Sequence, residues 1–244
     1  MEISRGQQQT PLPGLKYQQA VIVRQRNMDI ILKYFNDLTQ TQMQQFAALK
    51  DLYEEWNQKI NVISRKDMNN FYEHHVLHSL SIAAVFGFQD GYHVMDLGCG
   101  GGFPGIPLAI FFPNVDFYMV DSIRKKLKVV EAVAHFIGLK NITTQHSRAE
   151  DVQNKKGTVP VDGFDAIVSR AVAPLKDLWK WGKPLLKKGD GKQIPSNGLI
   201  CLKGGDLTNE IAESGCRPKI WMIDNLFTEP FFKDKYILQV NSFQ

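Results

Sequence analysis

An apolar run, Val94-Met95-Asp96-Leu97, breaks into Gly98-Cys99-Gly100-Gly101-Gly102-Phe103-Pro104-Gly105, and few folds have a place for such a junction. Glycine carries no Cβ, so a ligand can approach the backbone of this loop closely. A loop of this kind between a strand and a helix points its N–H groups at a negatively charged ligand group. A second apolar run, Phe117 to Val120, ends in another acid, Asp121. Two strand ends with an acid each, and a glycine turn between them, make half of a nucleotide pocket in an open α/β sheet.

Two ligands compete for that pocket. Gly100, Gly102 and Gly105 satisfy the dinucleotide pattern G-x-G-x-x-G, with Asp121 near the spacing of a ribose-binding acid. Asp96 argues the other way, because a carboxylate beside the loop repels a pyrophosphate in a low-dielectric cleft. S-adenosylmethionine carries no phosphate; its sulfonium and ammonium welcome an acid. The arrangement of Asp96, Gly98, Gly100 and Gly102 resembles the first motif of the class I methyltransferases.

The rest of the chain agrees with a sheet of this type. At 244 residues and 43% hydrophobic content it can bury one sizeable core plus an appendage. Residues 1–27 are polar, with Gln7-Gln8-Gln9 and Pro11-Leu12-Pro13-Gly14, and read as a disordered leader. Met28 opens the first helical pattern, so translation is expected to start there, which mass spectrometry of the native N-terminus would test. Residues 28–86 read as a helical subdomain. Thr39 with Gln42 forms a capping box ahead of a stripe running from Met43, Phe46 and Leu49 to Tyr53 and Trp56. A second helical segment covers about Asn70 to Val85. Residues 87–244 alternate strands and helices, with strands expected at His93–Leu97, Val115–Val120, Ile142–His146, Phe164–Ser169, Gly198–Leu202, Lys219–Asp224 and Tyr236–Val240. Ser122 reads as the N-cap of a helix whose stripe is Leu127, Val130, Ala134 and Ile137, closed by Gly138. The result is a seven-stranded, mainly parallel, Rossmann-like sheet ending in an antiparallel hairpin.

Ligands bind outside the carboxyl ends of such strands. Asp121 is placed to accept ribose hydroxyls or, alternatively, to cap a helix. After the third strand, Ser147-Arg148-Ala149-Glu150 offers a backbone amide and a small side chain for an adenine ring. The fourth strand ends in Ser169-Arg170-Ala171-Val172-Ala173-Pro174, without the Asp or Asn, prolines and aromatic that methylation of an exocyclic amine uses. No cysteine nucleophile for pyrimidine C5 and no converging general base stand there. A target with a lone pair and no proton to lose, such as guanine N7, fits better. Arg170 can bond carboxylate or phosphate oxygens or stack on a base, with a surface ion pair as the alternative. Lys203 is a candidate phosphate contact on the neighbouring rim, and Arg170 and Lys203 are the candidates for positioning substrate.

Basic residues are unevenly placed within a net charge of +4. Arg124, Lys125, Lys126 and Lys128 open the helix after Asp121, where the helix dipole disfavours cations, so RNA is the favoured explanation. Lys176, Lys180, Lys183, Lys187 and Lys188 form a second basic stretch that a solvated face explains equally well. His74 and His78 lie one helical turn apart, but without a third ligand or the H-E-x-x-H order they read as structural or pocket-lining, and no metal is expected. No apolar run reaches the roughly 20 residues of a membrane span, and no signal-peptide core is seen. Three widely spaced cysteines, Cys99, Cys201 and Cys216, suit a reducing compartment. The expectation is a cytoplasmic monomer.

Several motifs in order carry a closer resemblance. Trp56-Asn57-x-x-Ile60-Asn61-Val62-Ile63-Ser64, His75-x-x-x-Ser79-Leu80, the Asp96–Leu108 stretch, Asp121-Ser122-x-x-Lys125-Lys126, Arg148-Ala149-Glu150, Ser169-Arg170-Ala171 and Leu202-Lys203-Gly204 resemble the bacterial small-subunit rRNA guanine-N7 methyltransferases. That family is also called glucose-inhibited division protein B. The resemblance runs from about Met28 to the C-terminus. It implies S-adenosylmethionine-dependent methylation of one guanosine in a loop of 16S rRNA near the decoding centre, on rRNA or the small ribosomal subunit. It also implies that Gly98, Phe103, Ala149, Glu150 and Arg170 contact the cofactor, with Asp121 near the ribose. The family usually has Arg before the matched histidine and Asp three residues after it; here those residues are His74 and His78. The alternatives are a small-molecule methyltransferase, a nicotinamide-dependent oxidoreductase, and a non-catalytic RNA- or ribosome-binding protein with a relic pocket.

Overall fold

Each apolar run of the second half becomes a strand of one seven-stranded sheet in the computed structural model, which describes residues 28–154, 160–187 and 197–242. The expected leader and Lys188 lie outside the described residues. The strands are β1 (His93–Leu97), β2 (Asp116–Asp121), β3 (Ile142–His146), β4 (Ala166–Arg170), β5 (Gly198–Gly204), β6 (Lys219–Met222) and β7 (Lys235–Val240). Their order across the sheet is β3-β2-β1-β4-β5-β7-β6, parallel except for β7, which runs antiparallel to both β5 and β6. The order reverses direction at β1 and β4, and the crevice outside their carboxyl ends is where such sheets hold ligands. The expected boundaries of β1 and β3 coincide with the observed ones. β2 and β4 run one residue further, so that Asp121 and Arg170 are the last residues of their strands.

The helices are α1 (Asp29–Leu32), α2 (Gln40–Asn57), α3 (Arg65–Met68), α4 (His78–Val85), α5 (Gly105–Phe111), α6 (Arg124–Phe136), α7 (Leu175–Gly182) and α8 (Thr208–Ser214). Thr39 and Gln42 form the expected capping box of α2, which satisfies N–H groups that the first turn leaves open. Phe46, Leu49 and Tyr53 of its stripe are fully buried, each side chain contributing about 1.5–3 kcal/mol by leaving water. They join one apolar cluster with Val94 of β1, Phe117 of β2 and Ile106 of α5, so the helical segment shares its core with the sheet. Tyr72–Leu77, expected as ordinary helix, is a π-helical turn running directly into α4. Such turns widen a helix locally and occur often at functional sites.

At α6 the structure departs from expectation. Its N-cap is Ile123 and no side chain of that residue or Ser122 caps it; Asp121 Oδ1 accepts the Ile123 N–H instead, at 2.7 Å. Gly138 closes the helix as expected, at φ +73°. Cys99, Cys201 and Cys216 are free and buried. Among the described residues, no helix is long and apolar enough to cross a membrane.

Candidate active site

Above the carboxyl ends of β1, β2 and β4 lies a cleft of about 700 Å³. Its floor is the glycine loop, and two carboxylates shape that loop from opposite sides. Asp96, near the end of β1, is fully buried, and its Oδ2 accepts the Gly105 N–H at 2.7 Å. It thereby caps the start of α5, where negative charge is favoured. Burial raises its pKa to about 7, against the opposing pull of the Gly105 hydrogen bond. The other oxygen, Oδ1, has no partner among the described residues. Asp121 lines the cleft and accepts the Gly100 N–H on Oδ2 at 2.8 Å. The expected role of the loop, N–H groups aimed at an anionic ligand, is therefore corrected at Gly100 and Gly105. Both donors already serve protein carboxylates.

The α2 segment braces the same loop. Tyr53 donates its hydroxyl to the Gly101 carbonyl at 2.6 Å. Asn57 ties the following turn by accepting the Val62 and Ile63 N–H groups and donating to the Ile63 carbonyl. Val62 is thereby set against Gly101, where a Cβ would stand 2.9 Å from its own. Gly102 sits behind the wall at φ +103°, and a Cβ there would press on Ile106 and Tyr53. Gly100, at φ +56°, faces open space. Gly98 lines the cleft under Val172, whose Cγ2 would be 2.5 Å from an added Cβ.

The structure thus gathers Gly98, Gly100, Phe103, Asp121, Ala149, Glu150 and Arg170 of the expected cofactor residues around one cleft. Asp96 and Gly102 stand beneath and behind the loop, off its open wall. Arg170 ends β4 under the cleft, with its guanidinium over the Phe103 ring at 5.1 Å. It donates to the His74 carbonyl at 3.2 Å and lies 3.1 Å from His75 Nδ1, which replaces the surface ion pair weighed for it. Burial lowers its pKa to about 10, so it stays cationic at neutral pH.

The basic residues divide. Arg124, Lys125 and Lys128 are exposed on α6, but Lys126 turns onto the cleft wall beside Asp121. Of the four α6 residues expected to meet RNA, Lys126 alone lines the cleft, because successive helical positions differ by about 100°. Lys203 is not a free phosphate contact. Its ammonium pairs with Glu210 at 2.6 Å and donates to the Ala173 carbonyl at 2.6 Å, which holds the loop after β4. In the second basic stretch, Lys187 pairs with Asp165 at 2.8 Å. Reasoning from the sequence missed Tyr53, Val62 and Trp181 as parts of the loop brace or the cleft wall. Only the position of Val62 in the Trp56–Ser64 motif could have signalled one of them. Among the described residues no cluster of His, Cys, Asp or Glu could hold a metal ion.

Comparisons with known proteins converge. The family model described as rRNA small subunit methyltransferase G matches residues 41–231. Ribosomal RNA small subunit methyltransferase G of Phocaeicola vulgatus is 53% identical over 213 residues, 87% of this chain and 98% of that protein. The protein of the same name from Bacteroides thetaiotaomicron is 54% identical over 211 residues, 86% of this chain and 98% of its own length. Among solved structures, MtNAS in complex with MTA and tNA superposes with a TM-score of 0.52 at 13% identity, covering 81% of this chain and 72% of that one. The fibrillarin/Nop5p complex gives 0.51 at 12% identity, over 68% of this chain and 79% of that one. These two likenesses concern the fold alone.

Proposed function

The chain belongs to the rRNA small subunit methyltransferase G family, and on that premise we propose that it methylates N7 of one guanosine in 16S rRNA, using S-adenosylmethionine. One observation carries the choice of cofactor. The Gly100 and Gly105 N–H groups, which a dinucleotide's pyrophosphate would need, are bound to Asp121 and Asp96. What the cleft offers instead is the Asp121 carboxylate beside that loop and room for a ligand, its volume of about 700 Å³ lying within the range usual for small-molecule sites. A cationic, phosphate-free ligand fits that donor set.

When bound, S-adenosylmethionine supplies a methyl group made electrophilic by the adjacent sulfonium. Asp121 retains lone pairs that would accept the ribose hydroxyls, Gly98 and Gly100 would admit the ligand to the backbone, and Ala149 with Glu150 would border the adenine. Phe103 and Arg170 close the inner end, where the guanidinium can bond a carboxylate. Asp96 and Gly102 act indirectly, by fixing the loop. Guanine N7 would take the methyl group with its lone pair as the carbon–sulfur bond breaks and its electrons stay on sulfur, leaving S-adenosylhomocysteine; no proton is lost, so the residues' task is positioning rather than proton transfer. Presenting that atom calls for a base unstacked from a single-stranded loop. Arg124, Lys125 and Lys128 face solvent, where a phosphate backbone can reach them. We read residues 28–86 as the helical subdomain and residues 87–244 as the methyltransferase domain of a cytoplasmic monomer acting on rRNA or the small subunit.

The test is a deletion strain whose 16S rRNA is mapped for modified guanosines by mass spectrometry. Loss of one 7-methylguanosine, restored by the gene, is the expected result. An unchanged modification profile overturns the reading.

A further inference from the structure

Lys203 and Glu210 stand outside the cofactor cleft, yet between them they fix one stretch of its wall. The Lys203 ammonium, on a side chain only 10% exposed, pairs with Glu210 Oε1 of α8 and donates to the Ala173 carbonyl, both at 2.6 Å. The same Glu210 oxygen accepts the Leu175 N–H at 2.7 Å, where α7 begins. Pro174, with no N–H to give, lies between those two anchors. At the other end Ser169 donates its hydroxyl to the Leu97 carbonyl at 2.8 Å, and Arg170 stays in the β4 ladder opposite Leu202. Residues 171–173 are therefore clamped from both sides. Among the described residues, the Ala173 bond to Lys203 is the one hydrogen bond they make.

The clamped segment borders two cavities. Arg170 and Ala171 line both the cofactor cleft and a second cavity of about 520 Å³, which Phe231 and Lys235 also line. Val172 lines the cleft and lies against Gly98. Ala171 is exposed and sits at φ +55°, the left-handed region that a residue with a Cβ enters at a cost. Such a conformation persists only where the surrounding structure holds it. An exposed alanine makes few contacts of its own, so the restraint comes through its neighbours in the chain. On the Ala173 side that restraint is the ion pair. Desolvation offsets most of the attraction in a largely buried pair, so its net stabilisation is small, and fixing one geometry is its better-attested use.

We propose that Lys203 and Glu210 are positioning residues for methyl transfer, holding Ala171 and Val172 in the one arrangement that lines up the acceptor base with the methyl group. Neither residue lines the cofactor cleft; the pair acts through the loop between β4 and α7. Attack on a methyl carbon runs along the carbon–sulfur axis, opposite the departing sulfur, so the rate depends on how the base is aimed. Ala171 and Val172 are exposed and line the cleft, so an incoming base meets them. Releasing Ala173 lets Ala171 leave the left-handed region and carries Val172 off Gly98. The glycine loop, Asp121 and Ala149 belong to other strand ends and keep their places. The rate therefore suffers first and the cofactor affinity second. The inference rests on the rRNA methyltransferase reading.

Full-length protein is assayed for methyl transfer to small subunits from the deletion strain, at saturating S-adenosylmethionine, beside Lys203→Met, Glu210→Ala and the double variant. In each single variant kcat is expected to fall at least about tenfold, since a small misplacement of reacting groups costs that much or more. The affinity for S-adenosylhomocysteine, measured by calorimetry, should change far less, and circular dichroism should show both variants folded. Because the two residues act as one unit, the double variant should be no slower than the slower single one. Glu210→Gln is isosteric and keeps an uncharged acceptor for both donors, so its kcat should fall between wild type and Glu210→Ala. It carries the test if either truncation does not fold, and a wild-type kcat in it overturns the proposal. A lysine that contacts RNA phosphate directly behaves differently: Glu210→Ala then frees the ammonium and leaves transfer unchanged or faster, which also overturns the proposal. So do losses that multiply in the double variant, a cofactor affinity that falls as far as kcat, or a wild-type kcat in Lys203→Met. All of these outcomes are read against an active wild type and leave the enzyme reading standing. No transfer by the wild-type protein refutes the enzyme reading and with it the proposal.

Discussion

Asp96 makes the sharpest prediction, because its carboxylate is buried under the loop with one oxygen bonded and one bare. Its pKa of about 7 lies above that of an unfolded Asp, near 3.9. Between those values the unfolded state binds fewer protons than the folded state, so stability falls as pH rises and is least once Asp96 has ionised. The stabilisation is complete below about pH 4 and is lost as pH rises through about 7. From pH 5 to pH 8 the loss is roughly 2.5 kcal/mol, about two pH units at 1.36 kcal/mol each. Asp96→Asn keeps an acceptor for the Gly105 N–H and removes the titration. Urea unfolding of both proteins at half-unit pH steps isolates the term, since every other group cancels in the difference. That includes His75, whose lowered pKa contributes in the opposite sense, destabilising as pH falls below its unfolded value. The wild-type-minus-variant stability should drop by roughly 2.5 kcal/mol between pH 5 and pH 8. A flat difference across that range would refute a buried, titrating Asp96.

Gly100→Val should abolish S-adenosylhomocysteine binding in calorimetry, because the residue faces open cleft, and should also cost some stability, because valine is strained at φ +56°. Wild-type affinity in a folded variant would remove Gly100 from the site. Asp121→Ala loses the acceptor of both the Gly100 and Ile123 N–H groups, so it should weaken the cofactor and also lower the melting temperature. A change in affinity with no change in melting temperature would mean that the loop does not depend on it. Lys125→Glu combined with Lys128→Glu should leave cofactor affinity unchanged and reduce the slope of log K against log salt for RNA by about 0.7–0.9 for each phosphate no longer neutralised. An unchanged slope makes these lysines a solvated face. Tyr53→Phe should cost about 1–3 kcal/mol of stability, measured by urea unfolding, by leaving the buried Gly101 carbonyl unpaired. No loss would mean that the bond is dispensable.

How much of this was legible in the residues follows from the range of each interaction. The strand ends carrying Asp121 and Arg170 were readable because alternation and turn residues are local signals. The capping box of α2 was readable for the same reason, its partners being three residues apart. Tyr53 was read only as part of an apolar stripe. Nothing local says which aromatic of a helix will reach a carbonyl 48 residues away. Lys203 and Lys126 failed for a related reason: a lysine's role depends on the carboxylate or cleft it meets, and Glu210 and Asp121 come from other elements. Asp96 was assigned the right neighbourhood and the wrong side of the wall. Strand alternation puts consecutive residues on opposite faces, yet near a strand's end burial depends on how the loop folds back over it.

The strand order has a consequence for synthesis. β6 is made before β7, yet its ladder within the sheet is with β7, which also covers the edge of β5. Until residues 235–240 emerge from the ribosome, β5 presents Leu199, Ile200 and Leu202 along an open parallel edge, and β6 has no neighbour to join. An open apolar edge is a template for other chains. The nascent protein therefore passes through a stage in which five strands can assemble while the sheet stays uncapped. Release of the last strand is the event that closes that edge.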